Sequence, residues 1–364
     1  MPHDADNSRP YFHAPQPIGL RSALLILMTA ALWGGTPVAV SYSVDLFPPV
    51  AVSAFRFGLA ALFMCFWCQF EGSSRKLLRS ETKWILGGGV LLFFQITLFT
   101  MGIEKSNSSH ATLLINTFVF WIVALEHLVL KTLHMTTRQV LGLLVAAGGV
   151  MLTFMIYEER QDGLQADSPS LAGDLLLIGS AAILAVKILY TQHVVKRMPP
   201  GRFILWHDIV GVIFFILYTS LFEDFSKWSA AVGKAHFSSQ VTAALLGIAY
   251  QGFLVAGLCF AIQAHLLRKH AAFQISVYSF STPLFGLLFA FAFRDDPYSS
   301  WLPLSAVCVA IGIILVNLEP KNKSDSSVTA PAAPATPATP EPPHHPTGRN
   351  PEDQPGDHAD QANQ

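Results

Sequence analysis

Arg56 stands seven residues inside an apolar run that opens at Pro49. At the rise of an α-helix that is roughly 10 Å along the axis. A charge near the middle of a bilayer costs several kcal/mol, so an ionisable side chain at such depth points to function by default. The planar donor fork of Arg56 suits a carboxylate or phosphate group. The plainer alternative is a structural arginine that bonds backbone carbonyls or reaches the headgroups.

Other ionisable residues lie near the ends of apolar runs: Glu126 and His127, Lys187, and His207 with Asp208. Their positions suggest a common depth toward one face. A Lys187–Asp208 ion pair there would form a gate, and Glu126 or Asp208 would serve a proton relay. Interface-level side chains that simply reach water are the competing reading. Gln95, Asn116, Gln251, Gln274 and Tyr278 lie inside apolar runs and suit hydrogen bonding to a solute, although bonds between helices explain them as well. Trp33 and Tyr250 would form an aromatic wall. Pro37 and Pro283 are expected to kink their helices beside a cavity.

Several chemistries are not signalled. The spans lack H-E-x-x-H, G-x-S-x-G and paired aspartates, the patterns that hydrolytic sites use. No G-x-x-x-x-G-K-[ST] loop is present, so the chain carries no sign of direct ATP drive. Cys65 and Cys68 form a C-x-x-C, but inside an apolar helix and with no second pair. No metal and no cofactor is expected, and no nucleic acid as partner.

The elements that must position these residues are membrane helices. Hydrophobic residues make up 52% of the 364 and charged residues 13%, about half the charge of a soluble domain. Ten apolar runs read as spans: Leu20–Ser41, Pro49–Phe70, Trp84–Ile103, Ala111–Leu130, Val140–Tyr157, Leu171–Thr191, Phe203–Phe222, Val241–Gln263, Ala271–Phe293 and Leu302–Leu318. With the N-terminus placed inside, inner loops hold eleven Lys and Arg and outer loops five. Basic residues mark the cytoplasmic side, so both termini are expected there. Residues 1–19 and 319–364 read as disordered cytoplasmic tails. The second holds ten of the 23 prolines and almost no large apolar side chain, which leaves nothing to offset ordering entropy.

A shift of 163 residues carries Gly89 onto Gly252, Gly149 onto Gly312 and the basic turn at Lys131 onto Arg294. The pattern divides the chain into a five-helix repeat at 20–157, an extracytoplasmic linker at 158–170 and a second repeat at 171–318. Five crossings per copy invert the second copy, the arrangement many transporters use around a midplane site. The fold class expected is therefore an all-α membrane protein, with ten transmembrane helices as two inverted five-helix repeats.

Particular residues then carry a resemblance. Ala31-Leu32-Trp33-Gly34-Gly35-Thr36-Pro37-Val38, the Pro48-Pro49 turn and Phe55-Arg56-Phe57 resemble the opening of drug/metabolite transporters of the EamA type. Gly173-Asp174-Leu175, Tyr250-Gln251-Gly252-Phe253 and Ser281-Thr282-Pro283-Leu284-Phe285-Gly286 are similar to the later helices of that family. The turn Arg294-Asp295-Asp296-Pro297 departs from the family's usual Gly-Glu-Arg or Gly-Glu-Pro, and Lys131-Thr132-Leu133-His134 has no acid at all. The resemblance implies ten helices in two inverted repeats, cytoplasmic termini and a central substrate cavity.

The function expected is secondary transport or export of a small polar metabolite, amino-acid-like or related, by alternating access. The alternatives are a membrane-embedded sensor or structural subunit and, further off, an intramembrane enzyme. The bilayer and a small-molecule substrate are the partners expected. A homodimer is an assembly the sequence allows, and the plasma or inner membrane is the expected location.

Overall fold

The computed structural model describes residues 16–44, 46–106, 108–133, 135–161, 170–224, 226, 239–294 and 302–318. The 319–364 tail, residues 1–15 of the opening segment, 162–169 of the linker, and the Asp295-Asp296-Pro297 turn lie outside them.

Among the described residues all regular secondary structure is helical. Five stretches are long and apolar enough to cross a membrane: Pro49–Glu71, Thr82–Lys105, Leu171–Val195, Pro200–Phe222 and Gln240–Leu267. Four shorter apolar helices accompany them: Leu20–Gly34, Leu114–Val129, Thr137–Leu152 and Pro303–Asn317. In chain order we label α1 (Leu20–Gly34), α2 (Thr36–Val44), α3 (Pro49–Glu71), α4 (Thr82–Lys105), α5 (Ser108–Asn116), α6 (Phe118–Ala124), α7 (Thr137–Gln161), α8 (Leu171–Val195) and α9 (Pro200–Phe222). Then come α10 (Ser239–Ala249), α11 (Phe260–Leu267), α12 (Ala272–Val277), α13 (Thr282–Arg294) and α14 (Leu302–Asn317).

Local sequence explains where the long helices start and stop. Helices α3 and α9 each open with a Pro-Pro pair whose second member is the first helical residue. There the missing N–H is harmless and the fixed φ is already helical. Helix α3 ends at Gly72, whose φ of 71° closes the last turn with bonds to the carbonyls of Cys68 and Gln69. Outward faces carry exposed Phe70, Phe66, Leu221, Phe222 and Leu246. Lipid is the solvent that tolerates so much exposed apolar surface.

Three expected spans are broken rather than continuous. The first breaks at Gly35, two residues before Pro37, which sits in the opening turn of α2 where proline is readily accommodated. The fourth divides at Thr117 and ends in a π-helical turn at Leu125–Val129. The ninth is interrupted by a 3₁₀ turn at Tyr278–Ser281, just ahead of Pro283. The eighth runs unbroken but widens to π-helix over Tyr250–Cys259. Hydropathy alone cannot register such breaks, because each keeps the chain apolar.

Packing follows the repeat. Helix α3 packs on α9, and α7 on α14, each pair formed by equivalent members of the two halves. The remaining large contacts come in exchanged pairs: α4 with α8 answers α2 with α10, and α4 with α9 answers α3 with the Tyr250–Cys259 stretch. Shifting by 163 residues carries Gly142 to Ser305 and Gly149 to Gly312. These four residues form the α7–α14 crossing. A Cβ on Gly312 would lie 2.6 Å from the Gly142 carbonyl, one on Gly149 would lie 3.0 Å from that of Ser305, and the Ser305 hydroxyl donates to Gly149 O at 2.6 Å. Small residues let these backbones approach closely, as lipid-embedded helices require.

Candidate functional site

Between the halves lies a cavity of about 260 Å³. It reaches Val44, Ile103 and Ala111 at one end of their helices and descends to Arg56 and Lys187. Toward the opposite end the space is filled by a buried apolar cluster around Ile122, Phe203, Leu267 and Phe273. The pocket is therefore one-sided.

Helix α3 delivers Arg56, which is 6% exposed and whose Nε has no hydrogen-bond partner. Helix α8 delivers Lys187, 5% exposed, whose Nζ donates to Gln95 Oε1 at 3.1 Å and stands 4.6 Å from the centre of the Phe260 ring. Gln95 is fixed in turn by Ser180. Its Nε2 donates to the Ser180 hydroxyl at 3.2 Å, and that hydroxyl donates to the Gln95 carbonyl at 2.8 Å. Asn116 also faces the cavity, with Nδ2 donating to Thr112 O one turn back. Trp33, Phe99, Phe118 and Phe260 give it an aromatic wall.

Of the residues singled out by sequence, Arg56, Trp33, Gln95, Asn116 and Lys187 meet at this cavity. The others do not line it. Tyr250 donates its hydroxyl to the Leu32 carbonyl and holds the α1–α2 break at Gly35, where a Cβ would strike that hydroxyl at 2.6 Å. Gln251 is buried, with Nε2 3.5 Å from the Ser43 hydroxyl. Gln274 sits on α12 with its Oε1 buried and unpartnered, and Tyr278 is buried in the 3₁₀ turn. Glu126 is buried in the π-helical turn of the fourth span, away from the cavity.

The inner gate anticipated at Lys187 and Asp208 takes a different form. Lys187 lies eight residues before the end of α8 at Val195, about 12 Å in, because the helix continues past Thr191. It shares the cavity wall with Arg56 and contacts Gln95 rather than Asp208. Asp208 is fully buried behind the wall, with Oδ1 2.9 Å from His207 Nδ1. Arg56, Lys187 and Asp208 remain within electrostatic range of one another.

Sequence reasoning passed over Thr36, Phe99, Gln263, Ser279 and Thr282, all in the wall. Gln263 and Ser279 are polar residues inside apolar runs, the same signal that marked Gln95. It also passed over two carboxylates that tie the bundle together. Glu71, at the end of α3, accepts from Gly201 N at the start of α9 at 2.9 Å. Glu223, just past α9, accepts from Val50 N and Ala51 N at the start of α3, at 2.8 and 3.0 Å.

Two repeats of broken and continuous apolar helices around a one-sided, partly polar cavity define a multi-pass membrane transporter. The EamA-like transporter family model matches residues 20–155 and again 171–318. The chain belongs to that family. It is 21% identical to the uncharacterized transporter YoaV of Bacillus subtilis (strain 168), over 80% of this chain and 94% of that one. With the uncharacterized transporter YyaM of the same organism it shares 25% identity over 80% and 92%. The chloroplastic WAT1-related protein At3g02690 of Arabidopsis thaliana is 19% identical over 80% and 68%. A solved crystal structure superposes with a TM-score of 0.65 at 16% identity, covering 81% of this chain and 97% of the other, which speaks to the fold.

Proposed function

We propose that the chain is a secondary carrier that moves a small polar metabolite across the plasma or inner membrane by alternating access, in the export direction. One observation carries the reading: a cavity between the repeats that is open toward Val44 and Ile103, closed at the other end by packed apolar side chains, and furnished with two buried basic side chains. A one-sided site near mid-depth is what a single state of an alternating carrier requires, and inverted repeats supply the second state by exchanging conformations. Both termini face the cytoplasm in this reading, supported by the excess of Lys and Arg in the loops on that side. Sequence relatives named as transporters are consistent with movement of a solute without chemical conversion.

The test is flux. Purified protein in liposomes is screened by thermal shift against amino acids, nucleosides, sugars and organic acids, and each stabilising solute is assayed for counterflow. Protein-dependent counterflow of an unaltered solute supports the carrier. A solute that emerges chemically changed, or stabilising solutes that never cross, would overturn it.

A further inference from the structure

We propose that the cavity takes a monoanionic organic acid with an apolar body and no free ammonium group, a conclusion that rests on the carrier reading above and narrows its substrate.

Arg56 and Lys187 stand in the cavity wall, both more than nine-tenths buried. None of the described residues lining the cavity is acidic. Among the described residues, Asp208 is the one carboxylate in electrostatic range of both Arg56 and Lys187, and it lies behind the wall against His207. Arg56 carries a permanent charge and faces the cavity beside Lys187. In a low-dielectric setting an uncompensated charge is expensive. One anionic group entering the cavity compensates it, whereas a second would have no partner of its own.

The hydrogen-bonding geometry is consistent with this count. Lys187 spends one of its three donors on Gln95, and Gln95 is locked by Ser180. The ammonium is held in place with donors to spare. The Nε of Arg56 is buried without a partner. That atom is itself closed off, but the guanidinium stands in the cavity wall, where a carboxylate would make a charge-assisted bond to it.

The same geometry disfavours an amino acid. A zwitterion adds no net charge, so the excess positive charge would remain. Its ammonium would sit beside Arg56 and Lys187 with only neutral oxygens to donate to, and Gln95 Oε1 is already engaged by Lys187. Much of the remaining wall is apolar, with Trp33, Phe99, Phe118, Leu184, Ile188 and Val255 among its members, and uncharged polar groups such as Asn116, Gln263 and Ser279 are set between them. Such a wall suits a hydrocarbon body.

The experiment uses the full chain in detergent, titrated calorimetrically at pH 7.5 with 3-phenylpropanoate, 3-phenylpropanamide, phenylalanine and phenylsuccinate, and with 4-methylpentanoate as an aliphatic acid. At least one monoanion should bind about tenfold or more tightly than amide, zwitterion and dianion. Arg56→Gln should erase that preference. Should Arg56→Gln fail to fold, the ranking on the unaltered protein decides alone. Failure of both acids to bind, or equal or tighter binding of phenylalanine or the amide, overturns the proposal. Counterflow in liposomes then separates the two readings. Binding in the expected order without protein-dependent flux overturns the carrier and leaves the ligand class standing, whereas flux of phenylalanine with no preference for the acid overturns the ligand class alone.

Discussion

Glu223 accepts a hydrogen bond from the backbone N–H of Val50 at 2.8 Å, so the far end of α9 caps the start of α3. Its other oxygen takes the Ala51 N–H, and the Thr219 hydroxyl donates to it as well. At the opposite end of the same helix pair, Glu71 does this for Gly201 at the start of α9, assisted by the Ser73 hydroxyl. Each helix thus lends a carboxylate to the N–H groups that its partner's first turn leaves unpaired. A negative charge at a helix N-terminus is also favoured by the helix dipole. The two ties sit at opposite ends of an antiparallel pair and hold the halves of the protein together.

Removal of either tie should be measurable. Glu223→Ala and Glu71→Ala should each lower stability by about 1–2 kcal/mol, the usual worth of a charged N-cap. The ties are far apart, so the double variant should show the sum. Thermal unfolding of the purified protein in detergent checks this. No change in midpoint for either single variant would mean that the contacts are incidental.

The α7–α14 crossing predicts a contrast between glycines. At Gly312 an added Cβ would lie 2.6 Å from the Ala146 backbone nitrogen and the Gly142 carbonyl, neither of which can rotate away. Gly312→Ala should therefore cost about 1–3 kcal/mol through overpacking. Gly58 lies within α3, and nothing approaches its added Cβ within 4 Å. Gly58→Ala should be neutral or stabilising by up to about 1 kcal/mol, since alanine restricts the unfolded chain. The two variants can be compared by the yield of monodisperse protein.

The reach of the sequence can be judged from these same residues. Apolar length was enough to mark the helical stretches, and the 163-residue shift set Gly149 on Gly312, but that register does not tell that the two glycines meet at the α7–α14 crossing. Arg56 was legible because a charge inside an apolar run has few explanations. Glu71 and Glu223 were not, because each lies at a helix end, where a carboxylate usually faces water. Nothing local tells that its partner is an amide more than a hundred residues away. Lys187 misled by distance: counting from the end of the apolar run placed it near the surface, whereas α8 carries on to Val195. Phe99 and Phe118 were invisible for the opposite reason, as aromatics in an apolar helix are indistinguishable from those that face lipid.

The link from Gln95 to Lys187 makes a prediction of its own. Gln95→Leu removes the acceptor at 3.1 Å that holds the ammonium, and it leaves the Ser180 hydroxyl with only the backbone carbonyl of residue 95. Transport should fall through weaker solute affinity, with the maximal rate less affected, because the cation is still present but no longer held in place. Gln95→Glu should be worse still, since a carboxylate there would neutralise Lys187 internally. Concentration-dependent flux separates the two effects. A variant that loses maximal rate at unchanged affinity would place Gln95 in the conformational step rather than in binding.

The tail bears on topology. Residues 325–364 lie beyond the last helix and are rich in proline and poor in apolar side chains, a composition that does not build a core. Their deletion should leave membrane accumulation and flux nearly unchanged. A reporter fused after Leu318 should be active only in the cytoplasm. Activity confined to the exterior would reverse the proposed orientation.

Arg56 offers the sharpest test, because its two roles separate by substitution. It is 6% exposed in the cavity wall, and its guanidinium lies within electrostatic range of Asp208 on α9 and Lys187 on α8. If its planar fork holds a carboxylate, Arg56→Lys should lose most transport, since a point charge cannot reproduce two parallel bonds. If it only balances the buried charge of Asp208, Arg56→Lys should be tolerated and Arg56→Leu should reduce the amount of folded protein. In a background lacking Cys65, Cys68, Cys259 and Cys308, Arg56→Cys should react with a water-soluble thiol reagent from the side to which Val44 and Ile103 open. An added solute should slow that reaction if position 56 lies in its path. Full transport by Arg56→Leu, together with no labelling of Arg56→Cys from either side, would remove Arg56 from the site.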